Sequence, residues 1–293
     1  MENVRPRTAV VTGATSGLGL IAATEFARRG MRIVMPARDA ARAERARAHI
    51  VAEVPDAEID IVAADLTRLA DVQAAGARIA DDYAHIDVLV NNAGLHAFEQ
   101  RITPDGYPEM VAVNYLAPWL LSRTLLPRLT STPGARIVNV GSEASRRHGV
   151  LTLPGDLTDT RPFGARESSL IYGKTKLLNI MFSIELARRI EPSGVAVIAV
   201  DPGFNVTGLG RELSFARPLS RVLSWLNIGD PRRGAGLIVR AALDPSYALA
   251  SGSYFSVRRS TPILPTAPGD DPAVRARLWE ETERLLMVAA PGR

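Results

Sequence analysis

Tyr172 and Lys176 lie in the stretch "YGKTK", four residues apart. On a helix that spacing puts both side chains on one face. A free phenol ionises near pH ~10. An ammonium held beside it favours the phenolate and lowers that value, which makes tyrosine a usable acid and base. Such a phenol can give a proton to a carbonyl oxygen or take one from an alcohol. The same pair would also serve as an ordinary packed helix contact. Lys174 and Lys176 are the only lysines of the chain, and the other 33 cationic side chains are arginine. Nothing in the pattern gives Lys174 a chemical task.

A second chemistry-bearing stretch is "TGATSGLG" (12–19), with Gly13, Gly17 and Gly19 between an apolar run and an amphipathic one. Glycine lets the backbone turn tightly and approach a pyrophosphate. A helix starting behind the turn offers its free N–H groups to the anion. Three glycines would equally serve a tight turn with no ligand. Their place in the first strand–helix unit favours a dinucleotide.

These groups need a scaffold, and the chain supplies alternating short apolar runs and longer amphipathic ones. Strands are predicted at 8–12, 31–35, within "EIDIVAADL", and at 87–90, 135–142 and 195–200. Between them, Leu18, Ile21, Ala22 and Phe26 repeat at helical spacing, and Gly30 suits a helix C-cap. Further helices are predicted at 40–53, 69–82, 105–129 and 168–190. Strands alternating with helices give βαβ units and a parallel sheet covered on both faces. The expected fold is α/β: a Rossmann-type doubly wound parallel sheet in a three-layer α/β/α sandwich, one domain over 1–293. Residues 143–171 and 204–230 interrupt the rhythm. Both leave from strand carboxyl ends, where open α/β sheets bind ligands.

The composition excludes several classes. The chain has 46% hydrophobic and 23% charged residues, as an ordinary globular protein does. Its net charge of +4 is scattered among 31 acids with no basic run, which argues against nucleic acid. The absence of cysteine excludes disulfides, thiolate metal sites and a cysteine nucleophile. His49, His85, His96 and His148 lack metal-ligand spacing, so no metal is expected. The N-terminus "MENVRPRTAVVTG" has no apolar signal region, and no run long enough to span a membrane occurs. A cytoplasmic protein without a membrane span is expected.

Taken together, the motifs resemble those of the short-chain dehydrogenase/reductases. The likeness rests on the G-x-x-x-G-x-G turn, "NNAG" (91–94), Asn114, Ser142, the Tyr172/Lys176 pair and "PGFNVT" (202–207), in order along almost the whole chain. "DPRRGAGLIVRAAL", "SGSYF" and "ARLWEETERLL" resemble the retinol dehydrogenase and carbonyl reductase branch. The resemblance implies that Gly13, Thr15, Ser16, Gly17, Leu18, Gly19, Asn91, Ala93 and Gly94 contact a nicotinamide dinucleotide, with Asp65 and Leu66 at its adenine. Pro202, Gly203 and Thr207 would fix its carboxamide, and Tyr172 and Lys176 would also touch it. Ser142 would hold the substrate oxygen. Asn114 would hold a water linking Lys176 to solvent. Relatives form dimers or tetramers through the helices bearing Trp119 and Tyr172, so a homodimer or homotetramer is expected.

NAD-specific relatives carry an acid after the second strand. Here "PARD" (36–39) places Ala37 there, followed by Arg38. The arginine fork matches a ribose 2′-phosphate, which favours NADP(H) over NAD(H). Asp39 is better read as the N-cap of helix 40–53 than as a ribose ligand. Asp65 serves an adenine contact or a strand-end cap equally. His96 and His148 read as pocket or surface residues, and Glu143 as a solvated acid.

The chain departs from the family pattern in three places. It has 29 residues between Ser142 and Tyr172, Gly141 where a second serine is common, and Thr175 where serine is common. None removes a catalytic group. The expected function is NADP(H)-dependent hydride transfer between nicotinamide and the carbonyl or secondary alcohol of an apolar small molecule. Phe204, Leu209, Leu213, Phe215, Leu223 and Trp225 would close the pocket or dock another subunit. The alternatives are reduction of another bond of a natural product, and a cofactor-sensing protein without turnover.

Overall fold

Every predicted strand forms. The computed structural model describes residues 5–203 and 230–288. Within them β1 (Thr8–Val11), β2 (Arg32–Ala37), β3 (Ile59–Ala63), β4 (Val88–Asn91), β5 (Arg136–Val140), β6 (Ala196–Asp201) and β7 (Tyr254–Ser256) make one sheet. Its order is β3-β2-β1-β4-β5-β6-β7, and all pairings are parallel. The order reverses at β1, so the C-terminal ends of β1 and β4 frame the crevice where such sheets bind ligands. β1, β4, β5 and β6 are buried along their whole length, as strands with both faces covered must be.

Two apolar layers provide that cover. α1 (Gly17–Ala27), α2 (Ala40–Glu53) and α7 (Pro231–Leu243) pack on one face. α3 (Leu69–Asp82), α5 (Ala117–Thr130), α6 (Ala165–Arg189) and the C-terminal α9 (Pro272–Val288) pack on the other. Two short helices complete the set, α4 (Glu109–Val111) and α8 (Pro245–Ala248). Local chemistry sets the helix ends. Asp39 caps α2 by accepting from Arg42 N at 3.0 Å, and Asp230 caps α7 by accepting from Arg232 N at 2.9 Å. Gly30 takes φ +71° just beyond α1, the left-handed conformation that ends a helix. No helix among the described residues is long and apolar enough to cross a membrane.

One expectation needs correction. The helix predicted over 105–129 starts only after Pro108. Gly106 is left-handed at φ +84°, and the Asp105 carboxylate turns away to accept Leu69 N at 2.7 Å, at the start of α3. The helix then runs as α4, a π-helical turn (Ala112–Leu116) and α5. Trp119, on α5, packs against the C-terminal helix. It is buried inside the chain, 5.4 Å from the ring of Trp279 on α9. Trp279 also stacks on Phe182 of α6 and lies beneath the guanidinium groups of Arg123 and Arg189, 5.4 and 4.7 Å from its ring. Tyr115 and Thr282 share a hydrogen bond of 2.6 Å beside it. The C-terminal helix therefore covers the face that α5 and α6 would otherwise present. Trp279→Ala should lower unfolding stability by about 3–5 kcal/mol, the usual cost of removing a buried indole. Equilibrium denaturation checks this.

Candidate active site

The glycine-rich turn is built around Thr12. Its hydroxyl accepts the backbone N–H groups of Asn92 and Ala93, each at 3.0 Å, and the Asn92 side chain donates to Thr12 O at 2.9 Å. The ends of β1 and β4 are thus knit edge to edge. Gly13 (φ +67°) permits this approach, since a Cβ there would lie 2.8 Å from Asn92 Nδ2. A Cβ on Gly19 would lie 2.4 Å from Gly13 O, so α1 starts directly under the turn. Ser16 stands at the N-cap in extended conformation, and its side chain caps none of the first N–H groups. Those donors and the positive end of the helix face the crevice, a cradle suited to a pyrophosphate.

The crevice opens into a cleft of about 380 Å³. The predicted residues Gly13, Thr15, Ser16, Gly17, Leu18, Arg38, Asp65, Leu66, Ala93, Gly94, Ser142, Tyr172, Lys176, Pro202 and Gly203 all line it. Three predicted residues do not. Gly19 sits beneath the turn. Asn114 reaches the cleft floor only under Gly94. Asn91 is fully buried and donates instead to Ser122 Oγ at 2.9 Å and Asn139 Oδ1 at 2.7 Å. Successive strand residues point to opposite faces, so its neighbour Asn92 faces the cleft. Thr207 and the apolar side chains from Phe204 to Trp225 lie outside the described residues.

At the β2 end of the cleft Arg38 is largely exposed, with Nη1 3.8 Å from Asp65 Oδ1. Asp65 also accepts Thr67 N at 3.0 Å and Thr67 Oγ1 at 2.8 Å, so its strand-end cap forms while it lines the cleft. Asp39 is engaged with α2, where the Arg42 N–H holds its carboxyl below the usual value. Arg42 is a second cation on this wall, 3.2 Å from Asp39. The sequence reading missed it, although its place in the first turn of a helix already capped by Asp39 put it beside Arg38.

The opposite end holds the acid–base group. Lys176 is fully enclosed, and Nζ donates to Val140 O at 2.9 Å. Burial lowers its pKa to about 8, against an upward pull from Asp201. Tyr172 lies one turn earlier with its ring centroid 5.8 Å from that nitrogen. Burial pushes its phenol up to about 12; a hydrogen bond with Ser142 opposes this and the charge of Asp201 adds to it. The expected lowering by Lys176 is not the dominant influence. In this dry setting dehydration of the phenolate outweighs an ammonium whose hydrogen bond is aimed at Val140.

Neighbouring residues fix this pair. A Cβ on Gly173 would sit 2.4 Å from the carbonyl oxygens of both Ala144 and Arg147, so α6 lies directly on the turn that Ser142 caps. A Cβ on Gly141 would meet Ile180 at 3.0 Å, which bears on the absence of a second serine there. Thr175 donates to Tyr172 O at 2.8 Å and accepts Asn114 Nδ2 at 3.0 Å. Asn114 sits in the π-helical turn and clasps Leu95 by both backbone groups, at 2.8 and 2.9 Å. His96 stacks on the Tyr172 ring at 4.7 Å and shares a 3.2 Å hydrogen bond with Ser168, which makes it a wall of the site. Asp201 was not anticipated: it is buried at the end of β6 and accepts Gly203 N at 3.0 Å and Ser256 Oγ at 2.9 Å. Lys174, left without a task by the sequence, pairs with Asp156 at 2.6 Å and fastens the 143–171 segment to α6.

A family model for short chain dehydrogenases matches residues 7–153. The chain belongs to this family. It is 37% identical to human dehydrogenase/reductase SDR family member 13, over 97% of this chain and 74% of that protein. Identity to retinol dehydrogenase 14 of Mus musculus is 34%, over 96% of this chain and 86% of that protein. Among solved structures, one from Mycobacterium paratuberculosis superposes with a TM-score of 0.74 at 30% identity, over 96% of this chain and 93% of its own. These relatives place the chain in the retinol dehydrogenase-like branch. The family consists of hydride-transferring oxidoreductases that bind NAD(P)(H). The uncapped N-terminus of α1 and the close-packed glycines fit that cofactor.

The Lys176 pKa carries a stability consequence. Its folded value of about 8 lies below the ordinary 10.5. Below pH 8 the cation is present in both states and the folded state bears the full dehydration cost. Between pH 8 and 10.5 the unfolded chain binds more protons, so that cost is relieved as pH rises. Lys176→Met should therefore stabilise the fold at pH 7 by about 1–2 kcal/mol, after subtracting the lost bond to Val140. The gain should shrink toward pH 10. Denaturant titrations of both proteins across this range test it.

Proposed function

We propose that the chain is an NADP(H)-dependent alcohol dehydrogenase or ketoreductase acting on the carbonyl or secondary alcohol of a small molecule. One observation carries this reading: Ser142, Tyr172 and Lys176 line the same cleft as the uncapped N-terminus of α1. When bound, the nicotinamide supplies or accepts the hydride. Tyr172 gives its proton to the carbonyl oxygen in reduction and takes it from the hydroxyl in oxidation. The phenol carries its proton at neutral pH, and the nearby Lys176 charge must offset the burial that makes it a weaker acid. Ser142, which lines the cleft with Tyr172, would hold the same oxygen. Lys176 sits beneath the tyrosine, where its charge stabilises the phenolate left after transfer. Asn114 Oδ1 and Lys176 Nζ lie 3.2 and 3.1 Å from the same point above Gly94, which suits Asn114 to hold the relay that returns a proton. The name of the retinol dehydrogenase relative and the expected apolar residues 204–225 both support an apolar body for the substrate.

Arg38, with Arg42 beside it, supports NADP(H). Two cations on this wall suit a 2′-phosphate, and the acid that would hold a free ribose is engaged in capping α2. Arg38→Asp should cut kcat/KM for NADPH by about tenfold or more and favour NADH. An unchanged cofactor preference would remove Arg38 from this role. Tyr172→Phe should lower ketone reduction by about 10²–10⁴-fold while NADPH affinity stays within a few-fold. Cofactor binding with no Tyr172-dependent turnover on a broad ketone and alcohol panel would favour a sensor instead.

A further inference from the structure

A second depression, of about 490 Å³, is lined by residues that follow those of the acid–base end in sequence. Glu143, Arg146, Ser256, Arg258, Arg259 and Leu264 line it. Two links tie it to the reacting centre. Glu143 directly follows Ser142. Ser256 bonds Asp201, and the next residues, Pro202 and Gly203, line the main cleft. The walls are in close contact, since a Cβ on Gly203 would lie 2.8 Å from Val257 Cγ1.

The charge in this depression is unbalanced. Arg146 is paired with Glu143 at 3.0 Å. Arg258 and Arg259 are exposed on its rim just after β7, where their backbone N–H groups donate to Ser256 Oγ and Ser256 O, respectively. Among the described residues neither guanidinium has an ion pair, although Arg146 beside them does. Pro262, Ile263 and Leu264 give the same depression an apolar side. It thus combines two guanidinium groups that have no ion pair among the described residues with a wall for a carbon chain.

We propose that this depression receives a carboxylate at the far end of the substrate, so that the enzyme acts on oxo acids and the matching hydroxy acids. The inference rests on Ser142 and Tyr172 as the pair that holds the reacting oxygen. From there a substrate chain would cross the 143–146 turn, and its carboxylate oxygens would meet the forks of Arg258 and Arg259.

Calorimetric titration tests the inference without turnover. The probes are phenyl keto acids whose ketone and carboxylate are separated by chains of increasing length, each beside its methyl ester. The proteins are wild type, Arg258→Ala/Arg259→Ala and Arg258→Gln/Arg259→Gln, all with NADPH present. At least one acid should bind wild type about tenfold or more tighter than its ester. Both double variants should bring that ratio close to one, with ester affinity unchanged as the control for folding. Equal binding of acid and ester at every length, or a ratio that survives both double substitutions, would overturn the proposal. Reduction of the esters and its dependence on Tyr172 report on the catalytic reading separately.

Discussion

An ammonium in the protein interior fixes the geometry of this site. Among the described residues Lys176 donates to one carbonyl, Val140 O at 2.9 Å, and the buried Asp201 is the carboxylate that acts on it. A cation so enclosed is destabilised unless its acceptor stays in place. Sliding α6 along the sheet would strand it. The register of α6 against the end of β5 is therefore set by this bond, and Tyr172, one turn earlier on the same helix, is set with it. The dehydration that strains the lysine also raises the tyrosine, so one buried patch gives a cation near neutrality and a phenol that keeps its proton.

Close approach of backbones makes the arrangement possible. Gly173 brings α6 onto the carbonyl groups of Ala144 and Arg147, so Ser142 is placed against Tyr172 by main-chain contact. Gly94 leaves room for Lys176 Nζ and Asn114 Oδ1, each of which would lie close to a Cβ there. Gly13 and Gly19 perform the same task at the other end, where the turn, α1 and the end of β4 meet. A methyl group at any of these points would move a wall of the cleft. Two ends of one site are thus held by contact distances between elements that are far apart in sequence.

Local and periodic features were legible in the sequence. The buried strands, the glycine turn, the Asp39 cap and the four-residue spacing of Tyr172 and Lys176 all follow from neighbours along the chain. What escaped depends on partners at long range. Asp105 belongs to the start of α3, 36 residues away, and this shortened the predicted helix. Asn91 and Asn92 look interchangeable as letters, yet the pleat sends one to Asn139 and the other to the cleft. The direction of the Tyr172 shift depended on how dry its surroundings are, which spacing cannot report. The burial of Trp119 required knowing where α9 would land.

The two lysines show how acceptor supply decides between cations. Arg136 is also buried, and its Nη1 donates at the C-terminal end of α7 to Ala241 O at 3.1 Å and Asp244 O at 2.5 Å. A helix terminus offers several free carbonyl groups in an arc, which suits a fork with five donors. The end of β5 offers Lys176 one carbonyl, and an arginine there would carry more N–H groups than the site can satisfy. It would also keep its charge at every pH, whereas lysine with a pKa near 8 can shed it. Lys174 meets a narrower version of the same problem, because the Asp156 carboxylate that receives it also accepts Thr152 N. Lys176 is thus buried on one carbonyl oxygen, and Lys174, half-buried, reaches one carboxylate.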